Sequence, residues 1–264
     1  MIIIKKGTLK RIEKWEPSSF YITMDFDRTI TVSNHSTWEA LSYTSLLPEE
    51  YDKKRESLYD YYRPIETDEN IDFHIKNKLM NEWWMKHIDL FIKYELSESI
   101  IKQIVGKSKS IIFRKGAKNF FRRMHRKGVP IIIMSAGIGN IIEEFLIVNS
   151  CNYDNIYILS NFLQFENGKA IGIRNYIIHS LNKDEVLLPN EVKVKLQNRE
   201  HIILFGDLIS DIKMIPVEKR EEALKIGFLE TKVTENKAFY EENFDLVCTN
   251  NTSFKKILKY IKII

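Results

Sequence analysis

Two aspartates at the end of a predicted strand are the residues of this chain best placed to do chemistry. Asp25 and Asp27 follow Phe20–Met24, a β-branched and aromatic run that is typical of a buried strand. In open α/β sheets, ligands bind at the carboxyl ends of the strands. Because an unpaired buried charge is costly, the pair predicts a bound cation and a phosphoryl reaction at that cation.

Three further groups of polar residues follow or adjoin other predicted strands. They are Ser135-Ala136-Gly137 after Val129–Met134, Lys183 in Ser180-Leu181-Asn182-Lys183, and Gly206-Asp207-Leu208-Ile209-Ser210-Asp211 after His201–Phe205. Because parallel strands end at the same edge of a sheet, we expect all four groups to converge on one rim. Each motif alone is weak, whereas the four in this order are specific for phosphoryl transfer.

Each residue type fits one task in phosphoryl transfer. The Asp25 carboxylate can attack phosphorus and form an aspartyl-phosphate. Mg²⁺ prefers oxygen ligands, so we expect Asp25 and Asp207 to hold it and thereby to reduce repulsion between the anions. Lys183 would neutralise the phosphoryl oxygens. Asp27 would protonate the leaving alkoxide and later deprotonate the attacking water.

The phosphate has a predicted anion site at Ser135. This residue offers a hydroxyl, and the backbone N–H groups after it are predicted to begin a helix, whose N-terminus attracts anions. Asp211 has two open roles. It either pairs with Lys183 and orients it, or it joins the metal site.

Alternating strands and helices predict how these residues are positioned. The further runs with strand character are Asn155–Ser160, Leu224–Phe228 and Leu246–Cys248. Helix-like segments such as Lys115–Lys127 and Asn140–Val148 separate most strands, which predicts an α/β fold with a Rossmann-like parallel sheet and helices on both faces. Asn167-Gly168, between Phe162–Phe165 and Lys169–Ile173, predicts a small projecting hairpin.

The stretch from Val32 to Ile111 lacks a strand pattern and is predicted to be an inserted all-helical cap. Helical segments there are Pro48–Tyr62, Ile71–Tyr94 and Ser97–Val105, the second with Ile71, Ile75, Leu79, Trp83, Ile88 and Phe91 near helical spacing. The insertion begins just after Asp27, so we expect it to cover the aspartates. The chain would then consist of a core of residues 1–31 and 112–264 and a cap of residues 32–111.

Bulk composition narrows the class of protein. The 264 residues are 44% hydrophobic and 29% charged with a net charge of +4, typical of a soluble globular protein. The basic clusters lack an aromatic-basic module, so we expect no nucleic-acid partner. Cys151 and Cys248 are far apart in the sequence, which favours a reducing compartment. Met1–Ile4 is too short for the apolar core of a signal peptide. No apolar stretch of the sequence is long enough to span a membrane. We expect a cytoplasmic protein without a membrane partner, as a monomer or weak oligomer.

The four motifs resemble those of haloacid-dehalogenase-type phosphatases. Asp25–Thr29 resembles that family's first motif, Ser135 the second, Lys183 the third and Gly206–Asp211 the fourth. More closely, the chain from about Phe20 onward is similar to the cytosolic pyrimidine 5′-nucleotidase family, also called type III cytosolic 5′-nucleotidases. The strings that carry this resemblance are Met134–Gly139, Ser160–Phe162, His179–Lys183, Leu224–Leu229, Tyr61–Glu66 and Glu82–Lys86.

The resemblance implies a Mg²⁺-dependent phosphatase that acts on nucleoside 5′-monophosphates. Pyrimidine nucleotides such as CMP and UMP are the expected substrates, with 7-methylguanosine monophosphate as a further candidate. Asp25 would be nucleophile and metal ligand, Asp27 would be acid/base and bind the metal through its carbonyl, and Asp207 would be the other metal carboxylate. The residues implied to hold phosphate are Ser135, Ala136 and Lys183.

Glu66 and His87 are the cap residues expected to meet the substrate. By the resemblance Glu66 contacts the nucleoside, and its carboxylate would suit the exocyclic amine of cytosine or a methylated guanine. Trp83 and Trp84 offer stacking faces, although we expect at least one of them in the cap core. His87 stands where the family carries a small residue, so it narrows the pocket, adds a hydrogen bond or faces solvent.

Together with His87, two further departures from the family pattern leave the substrate open. The segment Thr31–Thr44 is shorter than the family's entry loop, and Arg28 replaces an apolar residue. The short loop favours an alternative: the same mechanism on another small phosphomonoester, such as phosphoserine or a sugar phosphate. A metal-dependent glycosyltransferase would need neither Lys183 nor Asp207–Asp211, and a non-catalytic phosphate-binding protein would need no nucleophile, so both are disfavoured.

Overall fold

Strands and helices alternate along the parts of the chain that the computed structural model describes, residues 1–33, 35–68, 70–107, 111–174, 176–185 and 188–262. The strands are β1 (Ile2–Ile4), β2 (Phe20–Met24), β3 (Ile131–Ile138), β4 (Ile156–Asn161), β5 (Leu163–Glu166), β6 (Lys169–Ile173), β7 (His201–Gly206), β8 (Leu224–Leu229) and β9 (Leu246–Thr249). The α-helices are α1 (Thr8–Ile12), α2 (Thr37–Ala40), α3 (Glu49–Thr67), α4 (Phe73–Lys93), α5 (Glu98–Lys107), α6 (Ala117–Arg126), α7 (Gly139–Val148), α8 (Asn190–Leu196), α9 (Val233–Asn243) and α10 (Phe254–Tyr260). Short 3-10 helices span Lys183–Glu185, Ile209–Met214 and Val217–Lys219.

One seven-stranded sheet organises the molecule, in the order β1-β9-β8-β7-β2-β3-β4. Neighbouring strands are parallel, except that β1 is antiparallel to β9. The predicted α/β fold with a parallel sheet is confirmed. Because β2 lies between β7 and β3, the carboxyl ends of these three strands are side by side, where ligands bind in such sheets.

Both faces of the sheet are covered. Along β2, Ile22 and Met24 pack in one hydrophobic cluster and Tyr21 packs in the other. Along β3, Ile133 belongs to the first cluster and Ile132 to the second. Successive side chains of a strand point to opposite faces, so these near-continuous apolar runs require helices on both sides.

The edge strand β1 corrects the sequence-based interpretation of the N-terminus, which treated it only as a short apolar stretch. Ile2, Ile3 and Ile4 pair with Cys248, Val247 and Leu246. A run of this length has no period that distinguishes a strand, and its partner is at the other end of the chain.

In the predicted insertion, residues 32–111, the described residues form four helices, α2 to α5. The three predicted helices are present with shifted ends, and α2 is additional. The helix α3 continues to Thr67 although Pro64 lies inside it, beyond the predicted end at Tyr62. Proline lacks an N–H, so Pro64 cannot donate a helical hydrogen bond to the carbonyl of Asp60, an exposed residue one turn earlier. The division into a core and a cap stays a prediction.

The buried side of α4 differs from the predicted stripe. Met80, Trp84, Ile88 and Phe91 are buried, whereas Ile75 is 55% exposed. The sequence contains apolar residues on two sides of this helix, and packing against neighbours decides which side is covered. None of the helices in the described part of the chain combines the length and apolar character that a bilayer span needs.

The predicted hairpin forms from β5 and β6, but it does not project freely. Asn167 and Gly168 have positive φ angles of 50° and 78°, as a tight hairpin turn requires. The Ala170 N–H donates to the Leu96 carbonyl at 2.8 Å, and the Glu98 N–H donates to the Gly168 carbonyl at 3.1 Å. The hairpin therefore packs against the junction of α4 and α5.

Candidate active site

The carboxyl ends of neighbouring strands bring the predicted residues together. Asp25 follows β2, Asp207 follows β7 and Ser135 lies near the end of β3. The Asp25 N–H donates to the Phe205 carbonyl at 3.0 Å, which joins the ends of β2 and β7. One cavity is lined by Asp25, Asp27, Ser135, Ala136, Lys183 and Asp207.

Lys183 is a buried cation at this edge of the sheet. Its Nζ donates to Oδ1 of Asp25 and to Oδ1 of Asp211, each at 2.7 Å. The preceding turn is fixed by Asn182, whose Oδ1 accepts the His179 N–H at 2.8 Å. Burial lowers the pKa of the Lys183 ammonium, but the carboxylates of Asp211 and Asp25 outweigh burial and the net pKa is raised. Lys183 is therefore charged at neutral pH, as a group that neutralises phosphate must be.

Asp27 is held by Thr37, a residue that no sequence motif reveals. Thr37 donates its backbone N–H to Asp27 Oδ1 and its hydroxyl to Asp27 Oδ2, both at 2.8 Å. Burial raises the pKa of Asp27 to about 6, and these hydrogen bonds oppose the rise. A carboxyl with this pKa can gain and lose a proton near neutral pH. Gly137 leaves the necessary room, because a Cβ there would lie 2.4 Å from Thr37 Oγ1.

Three carboxylates form a cluster that fits a metal ion. One oxygen from each of Asp25, Asp207 and Asp211 lies within 4.8 Å of the others. Burial raises the pKa of Asp25 to about 7 against the opposing effect of Lys183, and repulsion from Asp211 adds to the rise. Burial and repulsion from Asp25 raise the pKa of Asp207 well above its ordinary value. A hard divalent cation among these oxygens would relieve that cost, so the donor set suits one.

The Asp27 carboxylate is not a member of this cluster, and both of its oxygens accept hydrogen bonds from Thr37. Asp211 is fully buried and uses its second oxygen to accept the N–H groups of Asp207 and Leu208, each at 3.0 Å. Its position is compatible with both predicted roles, because it contacts Lys183 and also belongs to the carboxylate cluster.

The predicted helix Asn140–Val148 is present, but the N–H groups directly after Ser135 do not begin it, contrary to the prediction. The strand β3 continues through Ile138, with its pairing to β4 shifted after Met134, and α7 begins at Gly139. The N–H groups after Ser135 thus belong to extended backbone and not to a helix N-terminus, because small residues suit a crowded strand end equally well. Ser135 is buried and its Oγ accepts the Gly137 N–H at 3.0 Å. Ala136 is half-buried.

A cavity of about 690 Å³ extends from these residues to the helical insertion. Glu66 lines it from the last turn of α3. Its Oε1 accepts the Ser180 hydroxyl at 2.5 Å and its Oε2 accepts Nη1 of Arg63. Glu66 thus connects the insertion to the turn that precedes Lys183, and both of its oxygens already have donors.

His87 also lines the cavity, and it does not face solvent. It is 4% exposed, and its ring centroid lies 4.7 Å from that of Trp38 and 6.0 Å from that of Trp83. Its Nδ1 is buried without a hydrogen-bond partner among the described residues. Burial, aided by the nearby Arg55 guanidinium, lowers the pKa of His87 to about 3, so the ring is neutral. Trp84 is buried in the insertion, as expected for one of the two tryptophans.

Arg114 holds the loop that carries the first motif, and no motif in the sequence singles it out. It is fully buried, and its Nε and Nη2 donate to the carbonyls of Thr29 and Arg28 at 2.9 and 2.5 Å. Its Nη1 donates to Glu230 Oε1 at 2.8 Å, and its guanidinium lies 4.0 Å from the centroid of the Phe228 ring. Arg114 therefore connects the backbone just after Asp27 to the carboxyl end of β8.

Replacing Arg114 by Met is expected to lower the free energy of unfolding by about 3–5 kcal/mol, because the Glu230 carboxylate, whose side chain is 9% exposed, would lose its cationic partner. The double variant with Glu230→Leu should recover part of that loss. Urea unfolding at neutral pH measures both. Arg123→Met, at an exposed position of α6, is the matched control. A loss of less than about 1 kcal/mol, the size of a surface ion pair, would contradict the expectation.

The chain is similar to known proteins over most of its length. Residues 28–264 match a protein-family model described as pyrimidine 5′-nucleotidase (UMPH-1). The chain is 33% identical over 235 residues to the 7-methylguanosine phosphate-specific 5′-nucleotidase of Mus musculus, covering 86% of this chain and 78% of the relative. It is 30% identical over 267 residues to the protein of the same name from Gallus gallus, covering 97% of this chain and 92% of the relative.

Solved structures agree with this similarity. Cytosolic 5′-nucleotidase IIIB bound to cytidine superposes with a TM-score of 0.87 at 29% identity, over 99% of this chain and 93% of that one. Substrate-bound phosphoserine phosphatase superposes with a TM-score of 0.58 at 19% identity, over 94% of this chain and 99% of that one, a likeness of fold alone.

Proposed function

The chain belongs to the pyrimidine 5′-nucleotidase (UMPH-1) family, and from that premise we propose that it hydrolyses nucleoside 5′-monophosphates through an aspartyl-phosphate on Asp25. It is a phosphoric monoester hydrolase of the 5′-nucleotidase type. The observation that carries the proposal is the 2.7 Å contact between Lys183 and Asp25 in a cavity that the helical insertion also lines. CMP, UMP and 7-methylguanosine monophosphate are the candidate substrates, in line with a relative bound to cytidine and relatives named for 7-methylguanosine phosphate.

Mg²⁺ is the proposed cofactor, because the clustered carboxylate oxygens are ligands that it prefers. Asp25 and Asp207 would hold it with their carboxylates, Asp27 with its carbonyl, and Asp211 from its place in the same cluster. When bound, the cation neutralises charge that otherwise opposes the approach of one anion to another.

The residues of the chain divide the reaction between them. An oxygen of Asp25 attacks phosphorus, so that an O–P bond forms while the bond from phosphorus to the ribose O5′ breaks. Asp27 gives its proton to that leaving oxygen. In the second half-reaction Asp27 takes a proton from water, the water oxygen bonds to phosphorus, the Asp25–phosphorus bond breaks and inorganic phosphate leaves. Ser135, Ala136 and Lys183 hold the phosphoryl oxygens throughout.

The helical insertion, residues 32–111, is proposed to act as a cap on the core of residues 1–31 and 112–264. Glu66 and His87 meet the nucleoside from this cap. Since both oxygens of Glu66 have donors within the chain, any amine of a substrate would share the carboxylate with Ser180 and Arg63. The contacts of His87 with Trp38 and Trp83 favour a role in shaping the pocket.

We also propose that the protein acts in the cytoplasm as a monomer or weak oligomer. Relatives with cytosolic names support the compartment, among them one from Caenorhabditis elegans that is 30% identical over 258 residues. Sedimentation of the purified chain at several concentrations would test the oligomeric state.

Phosphate release from a panel of monophosphates tests the function. We expect Mg²⁺-dependent turnover of CMP, UMP or 7-methylguanosine monophosphate, with kcat/KM about tenfold or more above that for phosphoserine. EDTA should remove the activity and added Mg²⁺ should restore it. Turnover of phosphoserine or ribose 5-phosphate with none on any nucleotide would overturn the substrate, and full activity in EDTA would overturn the cofactor.

A further inference from the structure

Arg55 presents an unpaired donor on the side of the cavity that the helical insertion forms. It lies in α3, its side chain is 14% exposed, and it lines the same cavity as Asp25 and Lys183. Its Nε is buried and has no hydrogen-bond partner within the described part of the chain. A buried donor without a partner is costly unless a ligand satisfies it.

Asp52 and Glu56 lie beside the Arg55 guanidinium but do not accept hydrogen bonds from it. Asp52 Oδ1 lies 3.7 Å from Nε and Glu56 Oε1 lies 3.8 Å from Nη2, both beyond hydrogen-bond distance. Both oxygens accept hydrogen bonds from Tyr43. Asp52 Oδ1 accepts the Tyr43 backbone N–H at 2.9 Å, and Glu56 Oε1 accepts the Tyr43 hydroxyl. The Tyr43 ring centroid lies 5.8 Å from the Arg55 guanidinium, which therefore lies near the ring while its Nε–H has no partner among the described residues.

We propose that Arg55 donates a hydrogen bond to a carbonyl oxygen at the far edge of the nucleobase, so that uridine 5′-monophosphate is preferred to cytidine 5′-monophosphate. This inference rests on the proposed function. Uracil carries a carbonyl oxygen, O4, where cytosine carries an amine, and a guanidinium offers donors but no acceptor. The amine of cytosine and the guanidinium of Arg55 would both be donors, so neither would form a hydrogen bond to the other.

His87 complements the same edge of uracil. Its neutral imidazole has one acceptor nitrogen and one N–H, its Nδ1 has no partner among the described residues, and Arg55 is close enough to lower its pKa. Next to O4, uracil has the N3–H donor, whereas cytosine has an N3 acceptor. When the proton of the neutral ring is on Nε2, Nδ1 is an acceptor, and a donor from Arg55 beside that acceptor matches uracil and mismatches cytosine. The ring of Trp38, 4.7 Å from that of His87, offers a face for the base.

Among the other carboxylates that line the cavity, Glu66 and Glu39 do not reverse this preference. Glu66, which would suit an amine, has one oxygen bonded to Ser180 and the other to Arg63. Glu39 has a buried Oε2 without a partner among the described residues, but its charge contributes to the raised pKa of Asp27, which places it toward the phosphate end.

Steady-state kinetics of the full chain with Mg²⁺ test the inference, using UMP, CMP and ribose 5-phosphate. We expect the wild type to favour UMP over CMP by about 10- to 100-fold in kcat/KM. Arg55→Leu should bring this ratio close to one, with a loss for UMP that is at least about tenfold larger than the loss for ribose 5-phosphate. Arg55→Lys, which keeps the charge but loses the planar fork, should give an intermediate ratio.

Lys54→Leu is the matched control, because it makes the same new residue at an exposed neighbouring position of α3 and should leave the ratio unchanged. Melting curves establish that each variant is folded. A wild type that prefers CMP, or an Arg55→Leu variant that keeps the wild-type ratio, overturns the inference alone. A wild type that hydrolyses no nucleotide overturns the proposed function instead, so the two failures are distinct.

Discussion

Asp25→Asn is expected to lower nucleotide hydrolysis by about 10⁴-fold or more, since the amide is a poor nucleophile toward phosphorus. The substitution keeps the size of the side chain and leaves an oxygen to accept from Lys183, whose Nζ lies 2.7 Å away. The loss should therefore come from chemistry and not from a changed pocket. Phosphate release over hours, with protein concentration high enough to detect residual turnover, measures it.

Direct detection of the intermediate separates covalent catalysis from electrostatic assistance. Wild-type protein quenched in acid during turnover should carry one phosphoryl group on the peptide that contains Asp25, and Asp25→Asn should carry none. Asp89→Asn, the same change at an exposed site on α4 outside the cavity, is the matched control and should behave as wild type. Hydrolysis by Asp25→Asn at a near-wild-type rate would exclude attack by Asp25.

The sequence was sufficient to predict that Asp25, Ser135 and Asp207 lie at one edge of the sheet. Asp25, Ser135 and Asp207 follow apolar runs long enough to be recognised as strands, and parallel strands end at a common edge. The sequence alone does not reveal the order of the strands, because β7 and β3 pair with β2 although they lie far from it along the chain. Local pattern thus predicts these three strands, and only packing decides which strands are neighbours.

The residues that the motifs do not reveal act over long sequence distances or through irregular structure. Arg114 donates to the carbonyl of Thr29, 85 positions away, and nothing in the local sequence indicates that contact. Thr37 reaches Asp27 because the chain turns back into the short helix α2, and a four-residue helix has too little periodicity to predict. Arg55 has the sequence context of a solvated helix face, and nothing in the local sequence indicates that its guanidinium lies 5.8 Å from the Tyr43 ring.

Asp27→Asn is expected to lower kcat for nucleotides by about 10²- to 10⁴-fold, the usual worth of a positioned acid/base. The amide can still accept the Thr37 N–H, now 2.8 Å from Oδ1, so the loop should keep its conformation. The leaving group of p-nitrophenyl phosphate needs no proton. With this substrate, Asp27→Asn should still form the aspartyl-phosphate, but water should attack that intermediate slowly. A burst of about one p-nitrophenol per protein molecule, followed by slow release, is the expected time course.

The pH dependence of kcat in the wild type also tests the acid/base role of Asp27. Burial raises the pKa of Asp27 to about 6, and as a base it must be ionised, so kcat should fall as the pH drops below about 6 when hydrolysis of the intermediate is rate-limiting. Asp27→Asn should lack this acidic limb. A variant that keeps both the limb and the wild-type rate would assign the proton transfers to another group.

Thr37→Val provides the matched test of how Asp27 is tuned. Its hydroxyl donates to Asp27 Oδ2 at 2.8 Å and favours the ionised carboxylate, so removing it should raise the pKa of Asp27 and move the acidic limb to higher pH. The backbone N–H of residue 37 still donates to Oδ1, so the carboxylate should stay in place and the kcat at the pH optimum should fall far less than in Asp27→Asn. A limb that moves toward lower pH, or does not move, would show that the hydroxyl does not stabilise the charged form. A shift in the expected direction at nearly full activity would identify Asp27 as the titrating base, because Thr37 touches the reaction only through that carboxylate.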